Sequence, residues 1–276
     1  MRETLRRTLR NWGPPKVRNW LVRQLVGVRF AKHWPDSIGG GWRDAAEEAR
    51  KGYADATHRL SGGLALGFDP QDDLLTEFSA ADKQMQDCLV QFALVVARAA
   101  LGCDNLRLLD FGGGFGTHSL VLSRLLPGLE IEYTVCELPG FCEIGQALNS
   151  QLRFVQGLAQ AGTGYQLVYA SSSVQYERDW RKLVADLCLA SVRSLFVTRT
   201  PFVYDYPAYV TIQRAYKTAY PGWVFNYHEF VTEVARNAFS LKEVFINGPG
   251  IPVRGVMRPN VHLGLLFERH DARNPC

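Results

Sequence analysis

The sequence predicts a doubly wound α/β fold, and three observations carry that expectation. From residue 106 onward, short apolar segments alternate with amphipathic helical ones, the order that builds a parallel sheet with helices on both faces. A glycine-rich run, Leu108-Leu109-Asp110-Phe111-Gly112-Gly113-Gly114-Phe115-Gly116-Thr117, falls where the first strand hands over to the first helix. The last two apolar segments lie too close in sequence for a helical crossover, so they close the sheet as an antiparallel pair.

The elements follow in order. Residues 1–35 read as a basic amphipathic arm: Leu5 and Leu9 share a helical face, Arg2, Arg6 and Arg10 another, and Gly13-Pro14-Pro15 breaks the pattern. Residues 36–101 read as a helical extension, or cap, ending in a helix over Ser79–Leu101 whose apolar residues recur at Leu89, Phe92, Ala93, Val96 and Ala100. Residues 102–276 form the Rossmann-like domain. Strands are expected at Leu106–Phe111, Ile131–Glu137, Leu152–Val155, Tyr165–Ala170, Ser194–Thr198, Leu241–Ile246 and Val261–Phe267, seven in all. Helices are expected at 116–126, Phe141–Asn149, Asp179–Ala190 and Asn226–Ala238, the last opening with the capping spacing of Asn226 and Glu229. Between the fifth strand and that helix lies an aromatic insertion near 200–228, expected as a packed cap.

Composition narrows the class. With 276 residues, 47% apolar and 21% charged, the chain is an ordinary globular protein rather than a disordered or collagenous one. No apolar run approaches the ~20 residues of a membrane span, and no secretory signal is visible, so a cytoplasmic location is expected. The six scattered cysteines lack metal-ligand spacing and read as reduced thiols. Net charge is +4, but residues 1–32 carry nine Lys and Arg against one acid, so a basic arm precedes a mildly acidic body. Such an arm suits peripheral contact with an anionic membrane, at the inner membrane face. The alternative is that its apolar stripe docks on the chain's own core. No nucleic-acid module is recognisable, and nucleic acid is not expected as a partner. Nothing in the sequence sets an oligomeric state.

The spacing of the glycines selects a ligand. A dinucleotide fingerprint reads G-x-G-x-x-G; here Gly112, Gly114 and Gly116 read G-x-G-x-G, with Asp110 two residues ahead. An acid at that place would repel a pyrophosphate and suits a ligand with a cationic end. Glu137 ends the second strand, where a carboxylate accepts both hydroxyls of a ribose. A nucleoside with a positive, phosphate-free tail is S-adenosylmethionine.

Leu108–Thr117 with Glu137 resembles the first motif and following acid of class I S-adenosylmethionine-dependent methyltransferases. A closer resemblance is to a group of bacterial methyltransferases linked with surface-polysaccharide gene clusters. It is carried by Asp110–Thr117, Arg199-Thr200-Pro201-Phe202, Tyr220-Pro221-Gly222-Trp223, and the Gly41-Trp42 and Gly52-Tyr53 pairs. Val197-Thr198 departs from that group, where an acid is expected. The resemblance implies that Asp110, Gly112, Gly114 and Gly116 hold the methionine end, Glu137 the ribose and Leu138 the adenine. Ser172 and Ser173 would line donor and substrate. It also implies transfer to a small-molecule or glycan acceptor, most simply at oxygen.

For the chemistry, the candidates are His228 as base, His118 beside the glycine loop, and Arg199, which is costly to bury without an anion. That anion would be a substrate carboxylate or phosphate, or a structural carboxylate. Tyr176, Arg199, Tyr220 and Trp223 are the candidate substrate contacts. No metal site is expected. Two rival functions remain at this stage: a nicotinamide-dependent oxidoreductase, and a scaffold that binds cofactor without turnover.

Overall fold

A computed structural model describes residues 28–30, 83–215, 218–250, 253–254, 256 and 259–271. The arm except for 28–30, and the extension up to residue 82, lie outside the described residues.

Three arm residues form β1 (Val28–Phe30). Helix α1 (Lys83–Ala99) buries Phe92, Val95, Val96 and Ala99, the one-face spacing of an amphipathic helix. β2 (Leu106–Phe111) runs into the glycine loop and α2 (Thr117–Leu125). β3 (Ile131–Cys136), α3 (Pro139–Leu148) and β4 (Arg153–Val155) follow. Pro139 opens α3, at a position whose N–H would have no helical partner. A single turn, α4 (Leu158–Ala161), leads to β5 (Tyr165–Ser171) and a 3-10 turn at Val174–Tyr176. Asp179 caps α5 (Trp180–Ala190), its side chain accepting from the Lys182 N–H at 3.2 Å. The chain continues as β6 (Ser191–Val203), β7 (Tyr209–Ala215), β8 (Thr218–Asn226) and α6 (Tyr227–Arg236). It closes with β9 (Phe239–Pro249), β10 (Val253–Arg254) and β11 (Val261–Arg269).

Seven of these strands make the expected sheet, in the order β4-β3-β2-β5-β6-β11-β9. The first five are parallel, and β11 is antiparallel to both of its neighbours. Adjacent residues of one strand show why both faces are covered. Leu109 packs with Val168, Leu187 and Phe230 in one core, and Leu108 packs with Phe92, Leu122 and Tyr169 in the other. All seven residues of β5 are buried, as befits a strand between two helical layers.

Two features correct the expectation. The fifth strand, expected at Ser194–Thr198, runs through Pro201 to Val203. Pro201 falls between the last residue paired with β5, Thr198, and the first paired with β8, Phe202. A proline is tolerated in that gap, where one side of the strand has no neighbour. The aromatic insertion, expected as a packed cap, contains an antiparallel hairpin, β7–β8, that the sequence pattern did not show. Its second strand pairs parallel with the tip of β6, Phe202 opposite Phe225 and Val203 opposite Asn226, beyond the end of β5. β1 then pairs with β7, and β10 with β1, which makes an eleven-stranded sheet. At residues 28–30, then, the arm docks on its own body.

Cys88, Cys136, Cys142 and Cys188 are buried free thiols. Burial pushes Cys136 and Cys188 up to about 12, so both are unreactive. Cys103 departs from the reduced state expected for it and is disulfide-bonded. No helix among the described residues is long and apolar enough to cross a membrane.

Candidate functional site

The glycine loop is shaped by what lies under and beside it. Gly112 has φ 74°, and a Cβ there would collide with the Cβ of Ser173. A Cβ on Gly113 would collide with the Asp110 carboxylate beneath it. Glycine is therefore required twice in succession, once for conformation and once for close approach. Ser173 locks the far side, its hydroxyl donating to the Phe111 carbonyl at 2.8 Å, and the Gly112 N–H donates to the Cys136 carbonyl at 2.9 Å. The loop thus bridges the ends of β2, β3 and β5.

Asp110 is fully buried below this loop. Its Oδ2 accepts from the Tyr133 hydroxyl at 2.6 Å and lies 3.0 Å from His118 Nδ1. Its Oδ1 has no hydrogen-bond partner among the described residues. His118 lies edge-on to both Phe92 and Tyr169, whose rings stack on each other with centroids 3.9 Å apart. Burial, and then the neighbouring Asp110 charge, hold the Tyr133 hydroxyl well above its ordinary pKa, so it stays a donor. Tyr133 escaped the sequence reading. It stands in an apolar strand like any core residue, and only the pairing of β2 with β3 brings it to Asp110.

Glu137 follows β3 directly. Its Oε1 accepts from the Gly114 N–H at 3.1 Å and its Oε2 from the Leu138 N–H at 2.7 Å. Burial pushes its carboxyl up to about 7, although the two backbone donors pull the other way. A cleft opens beside it, lined by Phe111, Gly112, Glu137, Leu138, Ser172 and Tyr176, with Cys136, Ser173 and Glu177 completing the wall. Its volume of about 240 Å³ is the scale of one nucleoside. Among the described residues, nothing lies within 4 Å of a Cβ built on Gly114, which leaves room there for a ligand.

On the β5–β6 side, the cleft meets the hairpin. Ser172 holds φ 52°, a left-handed conformation that costs a non-glycine residue about 1–3 kcal/mol. Its hydroxyl accepts from Gln175 Nε2 at 3.1 Å, and its N–H donates to the Thr198 carbonyl at 2.9 Å. The Tyr176 hydroxyl donates to Gln213 Oε1 of β7 at 3.1 Å, and its ring meets Tyr220 of β8 edge-on. Trp223 is buried and donates from Nε1 to the Glu177 carbonyl at 3.1 Å, tying the hairpin to the turn after β5.

Arg199 holds φ 55° in the middle of β6. Its N–H donates to Asn247 Oδ1 at 2.8 Å, as does the Thr198 hydroxyl, while Asn247 Nδ2 donates to Gln91 Oε1 at 2.7 Å. Asn247 is buried and belongs to β9, two strands away from β6. No spacing in the sequence links it to Arg199.

The structure therefore gathers Gly112, Glu137, Leu138, Ser172, Ser173 and Tyr176 around one cleft, and Gly114 adjoins it through its bond to Glu137. Tyr220 adjoins it through Tyr176. Gly116 sits at the N-cap of α2 with φ 81°. Asp110 and His118 lie under the loop rather than on the cleft wall. His228 is exposed on the first turn of α6, its ring neighbours being Tyr204 and Tyr227, and is not among the cleft residues. No cluster of metal-ligating side chains occurs among the described residues.

No family model matches this chain, and no curated protein sequence matches it. Solved structures do. Magnesium protoporphyrin IX methyltransferase from Synechocystis with bound S-adenosylhomocysteine has a TM-score of 0.51 at 14% identity, covering 79% of this chain and 96% of that one. The same enzyme with bound S-adenosylmethionine scores 0.50 at 15% identity, over 79% and 93%. A protein assigned as a sarcosine dimethylglycine methyltransferase, from Galdieria sulphuraria, scores 0.53 at 12% identity, over 79% and 99%. This chain has the fold of S-adenosylmethionine-dependent methyltransferases.

Proposed function

We propose that the chain is an S-adenosylmethionine-dependent methyltransferase acting on a small-molecule or glycan acceptor, at oxygen. The observation that carries the cofactor is the juxtaposition of Glu137 with the open loop at Gly114, on the wall of a nucleoside-sized cleft. A carboxylate that already accepts two N–H groups keeps lone pairs for a ribose diol. Leu138 offers the adenine an apolar face. Gly112, Gly114 and Gly116 allow close backbone approach for a cationic methionine end, and the Asp110 carboxylate buried beneath the loop adds a favourable negative charge.

S-adenosylmethionine, when bound, supplies an electrophilic methyl group for in-line displacement. The protein's part is orientation and exclusion of water. Ser172 and Tyr176 stand where the cofactor cleft meets the β7–β8 hairpin, and Tyr220 extends that aromatic wall, a surface suited to stacking on a sugar or ring face. The glycan acceptor rests on the sequence resemblance and on this wall. Arg199 enters on the acceptor side, His118 supports the loop from below, and His228 lies on the outer rim.

Calorimetric titration of the full chain tests the reading. S-adenosylhomocysteine is expected to bind in the micromolar range and NADH not at all. Glu137→Ala is expected to weaken binding about 10–100-fold, the loss of hydrogen bonds to a charged acceptor. Binding of NADH in place of S-adenosylhomocysteine would overturn it.

A further inference from the structure

We propose that Arg199 forms an anion subsite for the acceptor, so that the molecule methylated carries a carboxylate or phosphate group. This rests on the methyltransferase reading above. Three independent observations converge on it.

The first is place. Ser172, a cleft residue, donates its N–H to the carbonyl of Thr198, so Arg199 begins where the cofactor cleft ends and the hairpin wall starts. Its charge reaches the cleft residue Tyr176 and the buried Tyr169, where it offsets part of the rise that burial imposes on both hydroxyls.

The second is the lack of a counter-ion. The guanidinium is half-buried, and no carboxylate pairs with it among the described residues. Other partly buried arginines of the fold are satisfied: Arg98 pairs with Glu243 and Glu268, and Arg269 donates to the carbonyls of Cys188 and Ser191. A five-donor fork left open beside a cleft matches a planar carboxylate or a phosphate, two oxygens at a time.

The third is support. The left-handed kink at Arg199 is held by the buried Asn247, which bonds the Arg199 N–H, the Thr198 hydroxyl and Gln91 at once. Opposite the kink, the two steps from Leu263 to Leu265 of β11 face three steps of β6, from Thr200 to Val197, so the extra residue makes a bulge in β6 at Thr198 and Arg199. Strain kept in place by a network from α1 and β9 is characteristic of a site whose side chain must point one way. Asn247 is thereby a positioning residue for Arg199.

The test uses full-length protein loaded with S-adenosylhomocysteine, unfolded thermally in phosphate, acetate or chloride at matched ionic strength. Phosphate or acetate is expected to raise Tm saturably beyond chloride, and whichever does so identifies the source of the anion. Arg199→Gln should abolish the saturable part while leaving S-adenosylhomocysteine affinity within about twofold of wild type, which also shows that the variant is folded. Arg199→Lys should retain part of it, a point charge replacing a fork. Asn247→Leu should weaken anion binding with cofactor affinity again unchanged. The same anion response in wild type and Arg199→Gln, or no saturable response in wild type, overturns the subsite and leaves the cofactor assignment standing. Failure of wild type to bind S-adenosylhomocysteine overturns the methyltransferase reading beneath it.

Discussion

In the proposed ribose-binding role, Glu137 should couple ligand binding to pH. Burial raises its carboxyl to about 7 from 4.5, so the folded protein prefers the protonated form. Its contribution to stability is therefore fully present below pH 4.5 and is lost as pH rises through about 7. Glu137→Gln should flatten that slope in urea denaturation between those limits. A ribose diol donates to the ionised form, so S-adenosylhomocysteine affinity should rise with pH through about 7 and level off above it; the Gln variant should show no such rise. Tyr133→Phe makes a separate test of the loop floor. It removes a 2.6 Å donor from a fully buried carboxylate, and should cost about 1–3 kcal/mol in urea melts. Cofactor affinity should fall less than in Glu137→Ala, because Asp110 acts from beneath the loop.

At the scale of elements, the β7–β8 hairpin is the part that makes this sheet more than a seven-stranded one. Its attachment is narrow in backbone terms, two residue pairs with β6, and broad in side chains. Phe225 packs among Trp180, Phe202 and Phe230 with no exposed surface. Phe225→Ala should cost about 3–5 kcal/mol in chemical denaturation. The junction to α6 depends on Asn226, whose Oδ1 accepts from the Glu229 N–H while Nδ2 donates to the carbonyls of Tyr204 and Tyr206. Asn226→Ala should cost about 1–2 kcal/mol, and Asn226→Asp less, since the cap survives and only the two loop bonds are lost.

At the scale of the molecule, ligand and fold are linked by mass action. Saturation at about 100 times Kd adds about 2.7 kcal/mol of stability. For a chain of this size that is a rise in Tm of about 5–10 °C. Differential scanning fluorimetry with S-adenosylhomocysteine should show it, and should show no shift with NADH.

The strands, the helices of the sheet and the glycine loop were legible in the chain because each has a local cause: alternating apolar runs, helical spacing, glycines at a strand end, an acid at the end of the next strand. Glu137 was found that way. The hairpin was hidden by Pro201 and Pro221, which argue against strands unless one side is unpaired, and only the sheet's path shows that it is. Tyr133 and Asn247 were hidden for a different reason. Their roles arise between segments 23 and 48 residues apart, joined by hydrogen bonds that no local pattern encodes. Sequence by itself determined the class of fold and the glycine loop, since those depend on residue types in order. Tertiary structure decided which side chains face the cleft, which support it from below, and that Asn247 holds the Arg199 backbone in its kink, since those depend on strands meeting across the sheet.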